Sequence, residues 1–257
     1  MRIDAHAHVA APGHGEVEGD PWGRDKLMIQ AADALEIDHL CCSCLAASRP
    51  SRPEQFIACN DQMRAAMDEF GNRLLGYCYV NPGYQKEAVA EIERCVTGMD
   101  FIGVKLYNEY KFYDPAVRPV IEKCIELDVP ILHHAGHTWH PLPGQPFISD
   151  AADLARALVD YPEAKVICGH LGGGGDWEWT IKALRDSENL FVDTSGSVVD
   201  DGMIERAVDA LGAHRMLFAC DMSMCAGVGK ILAADISQQE REMIFSGNTR
   251  KLLGGRI

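Results

Sequence analysis

The feature that most constrains the fold is a regular alternation of short apolar runs with amphipathic segments along all 257 residues. Short runs rich in branched and aromatic residues are typical of buried strands. Such runs predict strands at residues 3–8, 39–45, 74–80, 101–106, 130–134, 165–168, 190–193 and 216–220.

The segments between these runs have the apolar spacing of helices. They predict helices at residues 25–35, 53–70, 85–96, 114–127, 150–160, 177–187 and 200–211, and a final one over about 238–253. Residues 53–70 show one apolar stripe at three- and four-residue steps. Eight strand–helix units at this length predict a single (β/α)8 TIM barrel, with room for slight distortion, as one domain over residues 1–257. The competing open doubly wound sheet lacks a Gly-x-Gly-x-x-Gly after its first strand.

Composition excludes several classes of protein. The net charge of −14 argues against a nucleic-acid binder, whose affinity depends on Lys and Arg neutralising phosphates. We find no signal peptide and no stretch of about 18 apolar residues that would span a bilayer, so we expect a cytoplasmic protein without a membrane partner. The ten cysteines are scattered as free thiols would be. Cys41 and Cys44 lie inside a predicted strand, which favours a buried strand over a redox or zinc pair.

Barrel enzymes carry their chemistry at the carboxyl ends of the strands, and chemically capable residues end five of the predicted strands. His6 and His8 are two residues apart, so on a strand they project from the same side. His133 and His134 are adjacent, so only one of them can face the lumen, and apolar alternation does not choose between them. The list is completed by Lys105 near the end of strand four, His170 after strand six and Asp221 after strand eight. A carboxylate that ends an apolar run is costly unless it is paired or binds a metal.

At these strand ends the sequence resembles the amidohydrolase superfamily, most closely the amidohydrolase-2 branch of aminocarboxymuconate-semialdehyde decarboxylase-like enzymes. The segments that carry the resemblance run from residue 3 to residue 254 and read "IDAHAHV", "GVKLY", "PILHHAG", "ICGHLGGG", "LFACDM" and "IFSGNTRKLLG". The family pattern of Pro, three residues, His, a small residue and Gly selects His134 rather than His133. Ala219-Cys220 stands where the family commonly has Gly-Ser before the aspartate.

The resemblance implies one divalent metal ion, usually zinc, on His6, His8, His134 and Asp221. Such an ion would lower the pKa of a bound water. His170 would then act as general base or acid, and Asp221 would share a hydrogen bond with that water, so both are candidate catalytic residues. An alternative in the superfamily has two metals bridged by a carbamylated lysine, here Lys105, with His134 and His170 both as ligands.

Three functions follow from these residues. The principal expectation is hydrolysis of a C–N or C–O bond in a small, carboxylated metabolite. The first alternative is non-oxidative decarboxylation of an unsaturated or aromatic acid at the same metal, which needs the same residues. The second alternative is a barrel that binds a metal or ligand without catalysis, because a fold alone does not guarantee chemistry.

Residues in the loops after the strands are candidates for substrate contacts. A carboxylated substrate is favoured by Lys105 and by the loop arginines Arg49 and Arg52, although loop arginines are commonly solvated. Further candidates are Tyr107, His137, Trp139 and His140. A tryptophan at the position of Trp139 more often packs the loop onto the barrel than contacts a substrate. The expected partner is a small-molecule substrate, and apolar outer helices are compatible with a homodimer.

Overall fold

Eight parallel strands follow one another around the sheet in chain order, β1 to β8, and each is followed by helical structure. The computed structural model describes residues 1–138, 140, 143–196 and 198–257. The predicted (β/α)8 TIM barrel is confirmed. Its strands are β1 Ile3–Val9, β2 His39–Cys44, β3 Leu74–Tyr79, β4 Gly103–Leu106, β5 Ile131–His134, β6 Val166–Gly169, β7 Leu190–Asp193 and β8 Met216–Leu217.

The helices surround the barrel and pack their apolar faces on the strands. They are α1 Gly23–Ala34, α2 Pro53–Phe70, α3 Gln85–Gly98, α4 Arg118–Glu126, α5 Ala151–Leu158, α6 Trp177–Leu184, α7 Met203–Leu211, α8 Met224–Ala233, α9 Gln238–Glu242 and α10 Asn248–Leu253. No helix within the described ranges is long and apolar enough to cross a membrane.

The barrel closes through hydrogen bonds between β1 and the segment that continues from β8. The backbone N–H of Ala5 donates to the carbonyl oxygen of Phe218 at 2.9 Å, and the N–H of Asp221 donates to that of His6 at 2.8 Å. The last strand is shorter than the predicted 216–220, but these bonds keep residues 218–221 against β1. As a result, Asp221 is fixed beside the end of the first strand.

The apolar core has two layers. An inner cluster fills the barrel with side chains from alternate strand positions, among them Ala5, Tyr77 and Leu132, and includes Leu252 and Leu253 of α10. A larger outer cluster joins the strands to the helices. Cys41 belongs to the inner layer and Cys42 and Cys44 to the outer one, so this part of β2 is a buried strand with free thiols, as expected.

A bulge in β1 decides which side chains face the lumen. The register with β2 pairs Asp4 with Leu40 but Ala7 with Cys42, so β1 has one extra residue between these pairs. Before the bulge, the side chain of Ala5 lies in the inner cluster. After it, the side chain of Ala7 lies in the outer cluster, so the alternating residues His6 and His8 face inward. Asp4 holds this bend, because its Oδ1 accepts the N–H groups of His6 and Cys220, each at 3.0 Å.

The elements differ from the predicted ones mainly at their ends. The helix predicted at 114–127 begins only at Arg118, because Asp114 Oδ1 accepts the N–H of Ala116 in a turn instead. The final helix at 238–253 is α9 and α10 joined through a π-helical turn, Met243–Gly247. Sequence reasoning missed α8, whose two glycines weaken a helical pattern and whose apolar residues form no clear stripe.

Candidate metal and catalytic site

The ends of the first and last strands bring two imidazoles against one carboxylate. His8 Nε2 lies 3.1 Å and His6 Nε2 lies 3.8 Å from Asp221 Oδ1. Two ligands of a tetrahedral ion with bonds of about 2.0–2.1 Å are separated by about 3.3–3.4 Å. The two observed separations bracket this value, so these three predicted ligands have the spacing of groups that share one ion.

Asp221 is kept ionised by the imidazoles around it. Burial acts to raise its pKa, but the hydrogen bond with His8 and the adjacent imidazoles of His6 and His170 hold that pKa well below its usual range. An ionised carboxylate that faces imidazole nitrogens is the form that binds a cation.

The end of β5 directs its two adjacent histidines to opposite sides. His134 Nδ1 lies 2.9 Å from His170 Nε2. The ring of His133 packs 5.0 Å from that of Phe112, and neither of its nitrogens has a hydrogen-bond partner among the described residues. Burial lowers the pKa of His133 to about 3, so its ring is a neutral part of the outer core. The structure therefore brings His134, as the family pattern predicts, toward the other site residues.

His170 lies in the middle of the cluster. Its Nδ1 is 2.7 Å from Ser195 Oγ and 3.7 Å from Asp221 Oδ2. Burial lowers its pKa, although the nearby charges of Asp193 and Asp221 oppose this shift. One ligand atom each of His6, His170 and Asp221 lies within 4.8 Å of the others, so these three residues could hold a metal ion. The one-metal prediction placed His170 beside the metal, whereas the two-metal alternative made it a ligand.

The backbone is strained at two of these positions. His170 has φ of 69° and Asp221 has φ of 43°, in the left-handed region that residues other than glycine seldom adopt. Each is held there by its own amide: the N–H of His170 donates to Asp193 Oδ1 at 2.9 Å, and that of Asp221 donates to the His6 carbonyl oxygen. Strain that the surroundings impose is typical of functional sites.

Asp193, at the end of β7, organises the site, and sequence reasoning gave it no role. Its Oδ2 accepts from His6 Nδ1 at 2.8 Å, while Oδ1 accepts from the N–H of His170, the N–H of Ser195 and the Ser195 hydroxyl. Burial acts to raise the pKa of Asp193, but the adjacent His6 keeps it far below the usual range. The only signal in the sequence was its position at a strand end, which it shares with the predicted site residues.

Lys105 is fully buried at the end of β4, with Nζ 2.6 Å from His6 Nε2. Because His6 Nδ1 donates to Asp193, Nε2 carries the lone pair and accepts from the lysine. Burial lowers the pKa of Lys105 to about 8, against the opposing charges of Asp221 and Asp193. The side chain thus does not extend into solvent from the strand end; it belongs to the cluster.

Tyr107 extends the cluster outward. Its ring stacks on that of His134 with a centroid separation of 4.3 Å, and the guanidinium of Arg49 lies 4.1 Å from the centroid of Tyr107. Arg49 and Tyr107 line a cavity of about 300 Å³ together with residues that follow β4 and β5. Of the predicted substrate contacts, Tyr107 therefore lies between the histidine cluster and a cavity, whereas Lys105 belongs to the cluster itself.

The other predicted contacts are placed differently. His137 Nδ1 lies 3.0 Å from Asp150 Oδ2, and its ring stacks 4.6 Å from that of Trp179. Arg52 pairs with Glu54 near the start of α2, and His140 is exposed. Trp139 lies outside the described residues.

The donor set fits a divalent cation. Imidazole nitrogens and one carboxylate oxygen suit zinc, and imidazole also binds other transition metals. Burial, together with the charge of Lys105, lowers the pKa of His6 to about 3, so this imidazole is neutral. Imidazoles and an ionised carboxylate in this arrangement could hold a divalent ion, which would supply Lewis-acid chemistry beside groups that can transfer protons.

A (β/α)8 barrel with this arrangement at its strand ends belongs to a known class of enzymes. The model of the amidohydrolase family, in its second branch, matches residues 3–255, so the chain belongs to that family. The resemblance recognised in the sequence is confirmed, and the protein is an enzyme of this kind.

Two relatives have assigned activities. A 2-keto-4-carboxy-3-hexenedioate hydratase from Sphingobium is 27% identical over 242 residues, which cover 76% of this chain and 70% of the relative. A gamma-resorcylate decarboxylase from Polaromonas is 26% identical over 243 residues, which cover 75% and 74% of the two chains. The decarboxylase agrees with decarboxylation, the first alternative of the sequence analysis. Hydration was not among the functions expected from the sequence, and neither name is that of a hydrolase.

Solved structures share the fold. That of a 2,6-dihydroxybenzoate decarboxylase from Rhizobium has a TM-score of 0.77 at 20% identity, covering 98% of each chain. A dihydroxybenzoic acid decarboxylase from Polaromonas, with bound manganese and the inhibitor 2-nitroresorcinol, has a TM-score of 0.73 at 19% identity, covering 98% and 96%. At sequence identities of 19–20%, these structures show that the fold is shared and do not assign a function.

Proposed function

We propose that this protein is a metal-dependent lyase that removes CO₂ from a small unsaturated or aromatic acid without a redox cofactor. The observation that carries the proposal is the convergence of His6, His8 and Asp221 with His134 and His170 beside them. Tyr107 connects this cluster to a small cavity, because its ring stacks on His134 and lines the cavity. The activities of the two curated relatives favour this lyase chemistry over hydrolysis.

One divalent ion would be held by His6, His8, His134 and Asp221. The ligand spacing around Asp221 supports a single tetrahedral or five-coordinate ion, and we expect zinc from the donor set. Manganese, which a structural neighbour binds, is the other metal to test. When bound, the ion supplies a Lewis acid that draws electron density from an oxygen of the substrate.

Lys105 has two roles in this proposal. His6 has one lone pair at Nε2, so Lys105 releases that nitrogen when His6 ligates an ion. The buried ammonium is then free to pair with the carboxylate of the substrate. Because the ligand spacing around Asp221 is that of one ion, we favour one ion over the two-metal arrangement that needs a carbamylated lysine.

The chain's other residues move the proton. In decarboxylation the C–C bond to the carboxylate breaks, CO₂ leaves, and the electron pair stays on carbon until a proton replaces the lost group. His170 is the candidate proton carrier, because it is buried, lies in the centre of the cluster, and has Ser195 Oγ at Nδ1 and His134 at Nε2. Tyr107 lines the cavity beside His134 and would therefore border a bound substrate.

Water addition to a carbon–carbon double bond is the second candidate, because the Sphingobium relative is a hydratase. The same residues serve it: a water donates a proton to a base, its oxygen adds to one carbon, and the other carbon takes a proton. Decarboxylation and hydration differ in their products, since one loses CO₂ and the other gains the mass of water.

A product screen tests the proposal. Purified protein loaded with zinc or with manganese is incubated with a panel of hydroxybenzoates, unsaturated di- and tricarboxylic acids, lactones and amides, and products are identified by mass. We expect metal-dependent loss of CO₂ from an acid. Metal-dependent addition of water would favour the second candidate. Cleavage of lactones or amides alone would contradict both lyase candidates and support hydrolysis.

A further inference from the structure

Ser195 lies between two groups of the site, and the proposed chemical steps give it no role of its own. It comes two residues after Asp193, the last residue of β7, and its side chain is fully buried. The hydroxyl oxygen lies 2.5 Å from Asp193 Oδ1 and 2.7 Å from His170 Nδ1. The hydroxyl thus connects a buried carboxylate to the imidazole that is the candidate proton carrier.

The one proton of this hydroxyl can point to only one of its two neighbours. Although burial opposes it, the adjacent His6 keeps the pKa of Asp193 far below the usual range, so Asp193 is ionised. An ionised carboxylate only accepts hydrogen bonds. Ser195 must therefore donate to Asp193 Oδ1, since otherwise two lone pairs would face each other across 2.5 Å. The serine oxygen is then the acceptor for His170, which donates from Nδ1.

A second carboxylate favours the same position for the ring proton of His170. Asp221 Oδ2 lies 3.7 Å from His170 Nδ1, so a proton on this nitrogen faces negative charge. Burial lowers the pKa of His170, so the ring is neutral and has one proton to place. With that proton on Nδ1, the lone pair is on Nε2, where it accepts from His134 Nδ1 at 2.9 Å.

The position of Ser195 is fixed by its own backbone and by a lysine of α8. Its N–H donates to Asp193 Oδ1 at 2.9 Å. Lys230 Nζ donates to the carbonyl oxygen of Thr194 at 2.8 Å and to that of Gly196 at 3.0 Å, the residues before and after the serine. The hydroxyl is therefore held in place for His170 instead of turning freely on a loop.

We propose that Ser195 is a positioning residue that holds His170 in one tautomer, with the ring proton on Nδ1 and the lone pair on Nε2. A proton that His170 carries therefore enters and leaves at Nε2, in place of the hydrogen bond from His134. The serine selects where the proton of the neutral ring lies and does not touch the substrate. This inference rests on the proposed function, in which His170 moves the proton, and adds the residue that orients it.

Nitrogen-15 NMR measures the tautomer directly. Zinc-loaded protein with ¹⁵N-labelled histidine rings is examined by long-range ¹H–¹⁵N correlation, in which a protonated ring nitrogen and one with a lone pair have different shifts. The signals of His170 are those missing from His170→Gln. We expect a protonated Nδ1 and an unprotonated Nε2. A wild-type His170 protonated at Nε2 alone would overturn the proposal.

Ser195→Ala removes the acceptor of the Nδ1 proton. We expect the Nε2-protonated form of His170 to appear in the spectrum. Because a buried donor loses its partner, kcat for the acid found in the product screen should fall by about 10–100-fold. KM should stay within about threefold, because no substrate contact changes. Ser187→Ala, the same change at a half-buried serine between α6 and β7, is the control and should keep the wild-type spectrum and kcat.

The outcomes separate this inference from the proposed function. An unchanged His170 tautomer or a wild-type kcat in Ser195→Ala would overturn the positioning role and leave the lyase proposal standing. If the screen finds no acid that loses CO₂ or adds water, the lyase proposal fails, and the spectra of the wild type and Ser195→Ala still decide the role of the serine. Zinc content equal to that of the wild type shows that each variant keeps the folded site.

Discussion

Replacing Asp193 by asparagine should weaken metal binding although Asp193 is not itself a ligand. The two oxygens of Asp193 accept different hydrogen bonds: Oδ1 accepts three from His170 and Ser195, whereas Oδ2 accepts one, from His6 Nδ1, among the described residues. An asparagine can keep the three bonds at Oδ1 and must then place its NH₂ against His6. Two donors face each other unless the His6 proton moves to Nε2, the nitrogen that would bind the ion.

The expected magnitude follows from this geometry. A hydrogen bond to a charged group contributes about 1.5–3 kcal/mol, and loss of a partner that orients a metal-binding histidine typically costs ~10–100-fold in metal affinity. We therefore expect Asp193→Asn to raise the Kd for zinc by ~10–100-fold, about 1.4–2.8 kcal/mol. Competition with a chromogenic chelator measures the change.

A matched variant separates the tautomer argument from a general effect of losing a carboxylate. Asp200→Asn makes the same chemical change at an exposed carboxylate that accepts from Trp177 Nε1 at 2.8 Å, and it should leave the Kd for zinc unchanged. If Asp193→Asn binds zinc as tightly as the wild type, Asp193 does not orient His6 for a metal and the reasoning fails.

Four further substitutions test the ligand and catalytic assignments. His134→Ala should lose the bound ion and His133→Ala should keep it, as measured by elemental analysis of dialysed protein; the reverse result would contradict the orientation of β5. His170→Ala should keep one ion per chain while turnover of the acid found in the screen falls by ~10²–10⁴-fold, because proton transfer is lost; loss of the ion would instead make His170 a ligand. Lys105→Met should keep one ion and raise KM for the acid by about tenfold or more, whereas a fall from two ions to one or none would support a carbamylated bridge.

The sequence is sufficient for the barrel and for most of the residues at its strand ends. The alternation of strands and helices predicts the topology, and the sequence "IDAHAH" places two imidazoles on one strand because side chains alternate with a period of two. The inward direction of His6 and His8, however, also depends on the bulge that Asp4 holds, and a bulge leaves no periodic signal.

The remaining parts of the site depend on contacts between distant segments. Asp193 and His6 are 187 residues apart in sequence, and only the closed barrel brings the carboxylate to the ring. Lys105 is an ordinary strand-end lysine in the sequence, and its bond to His6 is visible only in three dimensions. Ser195 resembles any serine after a strand until the fold places it against His170, 25 residues away in sequence. Local pattern therefore predicts which residue types end the strands but not how they are paired.

Anomalous diffraction at the metal edge, from crystals of protein loaded with zinc or manganese, tests the central claim most directly. The account predicts one peak per chain, about 2.0–2.2 Å from a nitrogen of each of His6, His8 and His134 and from an oxygen of Asp221. Two peaks bridged by Lys105, a peak bound by His170 in place of His8 or His134, or no peak at the strand ends would contradict it.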